Sequence, residues 1–476
     1  MAISITFHGA AGTVTGSKHL VEVRHRDGDV RRVLLDCGMF QGEAVDRGKV
    51  DPNRHFGFDP AAVDAVVLSH AHIDHSGLLP RLVAEGFRGA IHATAATRDL
   101  CAIMLEDSAN IQEADHAYDL KRAKRQGRAL DEPGPLYTVD EVRPAMERFE
   151  AYDLNKPFPV VPGVTCTLTD AGHILGSAAV HLTIDDGERV LHLTFSGDVG
   201  RYVDRLLPEP APFPQADVIV CESTYGDRDH PGVAQAEEEL LHHVREACVV
   251  RKGKLLIPAF SIGKTQEILY TLNSLSNQGL LPRIPVFVDS PLAISATEIV
   301  RRHSRAFRPA VRAELDRDAD LFSFPGVEFV RNPERSKQLN SRQEPCIVIA
   351  ASGMMEAGRI RHHLRHGLPN ARNTVLAVGF CAPGTLGHEI LEGREVVHIF
   401  GEPVPVKAAV HRMGFYSAHA DRGELLRFLG CQDPARVRKL FLVHGIKSSL
   451  EGLRDQCAAA GHRDIAIPHK GQTFTL

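Results

Sequence analysis

Residues 69–77 read SHAHIDHSG and set three histidines and an aspartate, His70, His72, Asp74 and His75, within six positions directly after the apolar run DAVVLS. Neutral imidazoles and a carboxylate prefer water to a packed interior unless something ligates them. Together on one loop they match what a borderline divalent cation such as zinc accepts, at about 2.0–2.2 Å from nitrogen or oxygen. Four side chains from so short a loop would crowd one tetrahedral ion, whereas alternate residues can point to two ions lying close together. Such a centre needs further ligands, one of them able to bridge. His173 in DAGHILGS, Asp198 in FSGDVG and His444 in KLFLVHG each stand at the end of an apolar run. Read alone, the two histidines fit a structural role as well as a ligand role, and an aspartate beside glycine fits a turn.

Working outward, SGLLPRLVAEG repeats apolar residues at helical spacing with Pro80 in an early turn, so the loop joins a strand to a helix. Upstream, ISITFHG, KHLVEV and RRVLLDCG are apolar runs parted by turn residues and predict hairpins. Gly9, Gly12 and Gly16 lack GxGxxG spacing and precede a strand, which argues against a dinucleotide loop. The charged stretch 106–130 predicts a largely solvated helix, and strands resume with VTCTLTD, AAVHLTI and RVLHLTF.

The Pro-rich segment LLPEPAPFPQ (206–215) marks a change of style. Beyond it ADVIVCES, GKLLIPAF, RIPVFVDS, EPCIVIAAS and NTVLAVGF alternate with helical stretches, which predicts a parallel sheet covered on both faces. Ligands of such sheets sit beyond the carboxyl ends of the strands, here CESTYG, PAFSIGKT, DSPLA, ASGMM and GFCAPGT. GKT at 263–265 invites a P-loop reading, but that motif needs glycine where Pro258 stands. The small residues of FSIGKT and ASGMM instead suggest phosphate grips built from backbone N–H groups, with Ser261, Lys264, Ser352 and Gly353 as candidate contacts.

A chain of 476 residues, 43% hydrophobic, exceeds what one core serves, so at least two domains are expected. The net charge of −5 argues against adhesion to nucleic acid through a global positive field. Nine scattered cysteines without a CxxC pair argue against disulfides or a cysteine zinc finger and fit a reducing compartment. No apolar stretch nears the roughly 20 residues of a membrane span, and MAISITFHGA has no secretory pattern. A cytoplasmic protein without a membrane partner is expected.

The ordered set HxHxDH, DAGHILGSA and SGDVG resembles the metallo-beta-lactamase superfamily, and ESTYG, PAFSIGKTQE, SPLA, ASGMM, FYSAHAD and LVHG resemble its RNA-cleaving beta-CASP branch. HxHxDH alone marks only the superfamily, whereas the combination spans nearly the whole chain. The resemblance implies an α/β fold, a metallo-beta-lactamase αββα sandwich (1–207) with an inserted α/β beta-CASP domain (208–398) and a C-terminal completion (399–476). Truncation of the C-terminal segment should therefore damage metal binding as well as stability.

Carried over residue by residue, the resemblance implies two zinc ions, with manganese as a substitute. His70, His72 and His173 would hold one, Asp74, His75 and His444 the other, and Asp198 would bridge. Asp74 would also orient the attacking water, and Asp36 in LLDCG would support a histidine ligand. His419 in SAHAD, by itself an ordinary histidine, becomes the general acid, and Glu222 in CESTYG its partner. Branch members acting on DNA are generally described with valine where His444 stands, so the partner implied is RNA, single-stranded if the metals lie in an enclosed cleft. Departures are Ile446 after LVHG, where relatives often have glutamate, and Lys264, where they have arginine. KH-type and RNase J-like extra domains are not matched.

The activity implied is hydrolysis of RNA phosphodiester bonds, endonucleolytic and potentially also 5′ exonucleolytic, in RNA processing or degradation. Two other readings remain: a small-molecule hydrolase, which gives no reason for the insert, and a non-catalytic RNA-binding scaffold, which should have lost ligands. Homo-oligomerisation stays open.

Overall fold

The computed structural model describes residues 2–26, 28–42, 51–126, 134–230, 236–379, 381, 384–414 and 417–476. The chain forms two compact units: Met1–Tyr202 with Glu209–Asp229 and His419–Leu476, and Val203–Pro208 with His230–Ala418.

In the first unit the expected hairpins form. Ala2–Phe7, His19–Arg24 and Val30–Leu35 pair antiparallel, and Ala65–Val67, Ala90–Thr94 and Phe149–Tyr152 continue the sheet in parallel. The final strand Gln472–Thr475 closes the other edge against Ala2–Phe7, completing seven strands. A second seven-stranded sheet runs antiparallel from Phe158–Val161 through Val164–Asp170 and Ala178–Asp185 to Val190–Phe195, then in parallel through Val218–Glu222, Lys439–Val443 and Ile465–Ala466. Alternate residues decide what each face buries. Ile3, Ile5, Phe7, Val21 and Val33 of one sheet pack on Leu168, Val180, Leu193, Val220 and Phe441 of the other. On the far face of the second sheet, Ile219, Cys221, Leu440 and Leu442 cluster with Leu425, Phe428, Leu450 and Leu453 of the helices Arg422–Leu429 and Lys447–Ala459. Helices Leu79–Ala84 and Ala95–Arg125 follow strands of the first sheet. This is the expected αββα sandwich.

The second unit holds a six-stranded, all-parallel sheet in the order Val327–Phe329, Val286–Val288, Cys346–Ala350, Lys254–Pro258, Thr374–Ala377, Ala409–Arg412. One strand expected here lies elsewhere. Val218–Glu222 (ADVIVCES) joins the second sheet of the sandwich, between Val190–Phe195 and Lys439–Val443. Val218 and Val220 face the inter-sheet core and Ile219 and Cys221 face helices, so the strand is buried on both sides. Its continuous apolar run therefore reads the same in either sheet.

Of the loops singled out in the sequence, Phe380, Ala382 and Pro383 of GFCAPGT, Phe415 and Tyr416 of FYSAHAD, and the end of the charged stretch at 127–130 lie outside the described residues. The cysteines are free thiols, eight buried and Cys431 exposed. Among the described residues no helix is long and apolar enough to cross a membrane.

Candidate metal centre

Each candidate ligand of the first unit follows a strand. His70 and His72 come after Ala65–Val67, with Asp74 and His75 on the single helical turn Ile73–Ser76; His173 follows Val164–Asp170, Asp198 follows Val190–Phe195, and His444 follows Lys439–Val443. Glycine lets the backbone crowd this turn. A Cβ at Gly38 would lie 1.6 Å from the Asp74 carbonyl oxygen, so no other residue fits there.

The structure brings all seven side chains together. His72 Nδ1 lies 3.1 Å from both His70 Nε2 and His173 Nε2, and Asp198 Oδ2 lies 3.5 and 3.6 Å from those same two nitrogens. Beside this set, His75 Nε2 is 3.2 Å from His444 Nε2, 3.8 Å from Asp74 Oδ2 and 3.3 Å from Asp198 Oδ1, and His444 Nε2 is 3.4 Å from Asp74 Oδ2. Donors bound at about 2.0–2.2 Å around one tetrahedral centre lie about 3.3–3.6 Å apart. The donors of the two sets lie 3.1–3.8 Å apart, bracketing this spacing. Their geometry and their nitrogen-and-carboxylate chemistry therefore fit a divalent cation each. Asp198 presents one oxygen to each set, and its buried Oδ1 has no hydrogen-bond donor.

The surrounding hydrogen bonds fix which ring nitrogens are free. His75 Nδ1 donates to Asp36 Oδ2 at 2.6 Å, which leaves its Nε2 lone pair facing the second set. Asp36 also accepts from Ser69 N at 2.8 Å, Ser69 Oγ at 2.9 Å and Ser17 Oγ at 3.2 Å. Because the Ser69 hydroxyl gives its proton to Asp36, it accepts from His70 Nδ1 at 3.0 Å, leaving His70 Nε2 free. One buried carboxylate thus orients a histidine of each set. The sequence points to Asp36; the part played by Ser69, the first letter of SHAHIDHSG, was legible only as a polar residue beside the histidines.

Electrostatics follow from burial and charge. Burial lowers His72 to about 4 and His70 well below its ordinary value, although Asp198 works the other way. His75 rises well above its ordinary value: burial disfavours the cation, but Asp198, Asp74 and Asp36 outweigh it. Asp198, despite burial, is held well below the usual carboxylate range by His444, His75, His419 and His70.

A third grouping adjoins these. Glu222 Oε1 lies 3.1 Å from His419 Nδ1, which is 3.9 Å from Asp198 Oδ2. Glu222 is fully buried and also accepts from Val199 N, while the His419 side chain keeps 22% exposure and so reaches solvent. Burial works against the imidazolium, but Glu222 and Asp198 raise His419 to about 9. Cations bound beside Asp198 would draw that value down.

Ser261, Lys264, Ser352 and Gly353 belong to the second unit. Lys264 Nζ pairs with Glu267 at 2.9 Å, Ser261 Oγ lies 3.4 Å from Ser290 Oγ, Ser352 Oγ accepts from Glu356 N and Ala357 N, and a Cβ at Gly353 would lie 2.7 Å from the Phe260 ring.

Comparison with known proteins bears on this arrangement. Residues 31–252 match the Beta-lactamase superfamily domain, 265–390 the Beta-Casp domain and 403–468 the Zn-dependent metallo-hydrolase RNA specificity domain. Ribonuclease TTHA0252 of Thermus thermophilus is 38% identical over 464 residues, covering 98% of each chain. The chain belongs to the beta-CASP ribonucleases of the metallo-beta-lactamase superfamily. Other beta-CASP relatives include the transcription termination factor FttA of Methanocaldococcus jannaschii, 32% identical over 92% of this chain and 67% of its own length. An RNase J-like protein of the same organism is 30% identical over 93% and 92%. As a beta-CASP ribonuclease, the protein is a divalent-metal-dependent hydrolase whose substrate class is RNA.

Proposed function

We propose that the protein cleaves RNA with two zinc ions, which manganese can replace. His70, His72 and His173 hold one, Asp74, His75 and His444 the other, and Asp198 ligates both. The observation that carries this reading is the placement of the two Asp198 oxygens, one 3.5 Å from His70 and the other 3.3 Å from His75.

When bound, such cations would make a water nucleophilic near neutral pH and offset charge on the phosphate. The chain's own residues do the rest. Asp74, 18% exposed, accepts a hydrogen bond from the incoming water and aims it at phosphorus. His419 carries a proton on the nitrogen facing solvent and delivers it to the departing 3′ oxygen as the P–O3′ bond breaks, leaving a 3′-hydroxyl and a 5′-phosphate. Glu222 holds the other ring nitrogen, fixing orientation and favouring the protonated ring. Ser261, Lys264, Ser352 and Gly353 contact neighbouring phosphates.

On this reading the substrate is single-stranded RNA, cut internally and also from 5′ ends, in RNA processing or degradation in the cytoplasm. The intact set of seven donors speaks against an inactive scaffold. The test pairs two variants on labelled RNA. His72→Ala should lose bound metal and cleavage together, whereas His419→Ala should keep the metal and lose most turnover. Normal cutting by the His419 variant would refute the acid assignment.

A further inference from the structure

Two of the ring orientations are fixed by Asp36 and Ser69, but neither touches His444, the ligand that arrives last in the chain. Its backbone is held in the left-handed region (φ 52°), where a bulky residue needs support. Its N–H donates to Ala10 O at 2.7 Å, and its carbonyl accepts from Ser223 N at 3.3 Å. Thr224 adds two contacts of its own. Thr224 Oγ1 lies 3.2 Å from the His444 carbonyl oxygen and 3.1 Å from His444 Nδ1.

Only one arrangement makes both Thr224 hydrogen bonds at once. A carbonyl only accepts, so the threonine hydroxyl proton goes to His444 O, and the hydroxyl lone pair must accept from His444 Nδ1–H. That tautomer has its lone pair on Nε2, the nitrogen 3.2 Å from His75 Nε2 and 3.4 Å from Asp74 Oδ2. The competing acceptor for the Nδ1 proton, Asp198 Oδ1, is farther away at 3.5 Å. The same residue also reaches the neighbouring pair, because Thr224 N donates to Glu222 Oε2 at 3.0 Å.

We infer that Thr224 is a positioning residue: its hydroxyl sets the tautomer and orientation of His444 and so selectively tightens the cation held by Asp74, His75 and His444. The inference rests on the two-cation reading above. It explains why a hydroxyl stands at this place in ESTYG, and it gives each set its own tautomer lock, Ser69 for His70 and Thr224 for His444.

The experiment titrates zinc against a chromophoric chelator and counts bound metal by mass spectrometry, with His75→Ala identifying which binding step belongs to the second set. Thr224→Val removes the hydroxyl and keeps the branched shape. It should weaken that step about 10- to 100-fold, and Thr224→Ser should restore it to within about 3-fold of wild type. The other step should stay unchanged in both variants, which also reports that they fold. Wild-type affinity at both steps in Thr224→Val, or a Thr224→Ser protein as weak as Thr224→Val, would overturn the inference alone. A wild type binding fewer than two ions would overturn the two-cation reading and this inference with it.

Discussion

The metal loops of the first unit and the strand-end loops of the second are both polar and both follow buried strands, yet they spend their hydrogen bonds differently. Around Asp198 capacity is left over: ring nitrogens face one another at 3.1–3.2 Å, and a buried carboxylate oxygen has no donor. At the strand ends of the second unit Asp289 and Lys264 have their partners within the unit. Buried Asp289 takes Ser336 Oγ at 2.5 Å, Arg359 Nη1 at 2.6 Å and His363 Nε2 at 2.7 Å, and Lys264 is paired with Glu267. Surplus capacity buried at such cost is sustained only if a charged partner arrives. Internal satisfaction describes a framework. Substitutions in the first region should therefore change chemistry, and those in the second should change stability or binding.

The largest effect is expected at Asp198. Asp198→Ala should remove both cations and bring RNA cleavage to background, measured as metal content and initial rate; retention of either ion would break the contrast. Next comes His419→Ala, expected to lower kcat about 10²- to 10⁴-fold with metal content unchanged. The Glu222 carboxylate raises His419, so the proton is kept at neutral pH and lost as pH climbs through the raised value. The alkaline limb of the kcat profile should accordingly move to lower pH in Glu222→Gln. An unmoved limb would separate Glu222 from the acid.

Smaller effects lie in the second unit. Burial opposes ionisation of Asp289, but hydrogen bonds from His363, Ser336 and Arg359 hold it below the usual carboxylate range. A depressed carboxylate stabilises the fold above its unfolded-state value, and that contribution fades as pH falls through the depressed one. Asp289→Asn should cost about 3 kcal/mol near neutrality, since it removes the buried carboxylate that pairs with Arg359 and accepts from Ser336 and His363. The loss should shrink in acid, with zinc content unchanged. A calorimetric deficit as large in acid as at neutrality would contradict the ion-pair account. Smallest is Lys264→Ala, for which KM for RNA should rise a few-fold, at most about 10-fold, at constant kcat, as for one partly neutralised phosphate contact.

How far the sequence led depended on the range of the interaction. SHAHIDHSG announced a metal site because its ligands are local, and the strand ends before His173, Asp198 and His444 were visible as apolar runs. Residue types alone left those three open between ligand, core and turn roles; only their order beside ESTYG and SAHAD pointed to the ligand reading. The sheet that receives Val218–Glu222 was not legible, because burial on both faces erases the alternation that tells one sheet from another. Nor was Ala409–Arg412 legible as the sixth strand of the parallel sheet, being four residues long, only partly buried and ending in His-Arg. Gln472–Thr475 pairs with Ala2–Phe7 across the whole length of the chain, a contact no local pattern encodes. Hydrogen-bond partners such as Ser69 and Thr224 need distances, since serines and threonines are common at turns for other reasons.

The central claim is that Asp198 joins two cations. Crystals grown with zinc, measured on both sides of the zinc absorption edge, test it directly. The account predicts two anomalous peaks about 3.5–4 Å apart, one within bonding reach of each Asp198 oxygen. A single peak, or a second one out of reach of Asp198, would contradict it.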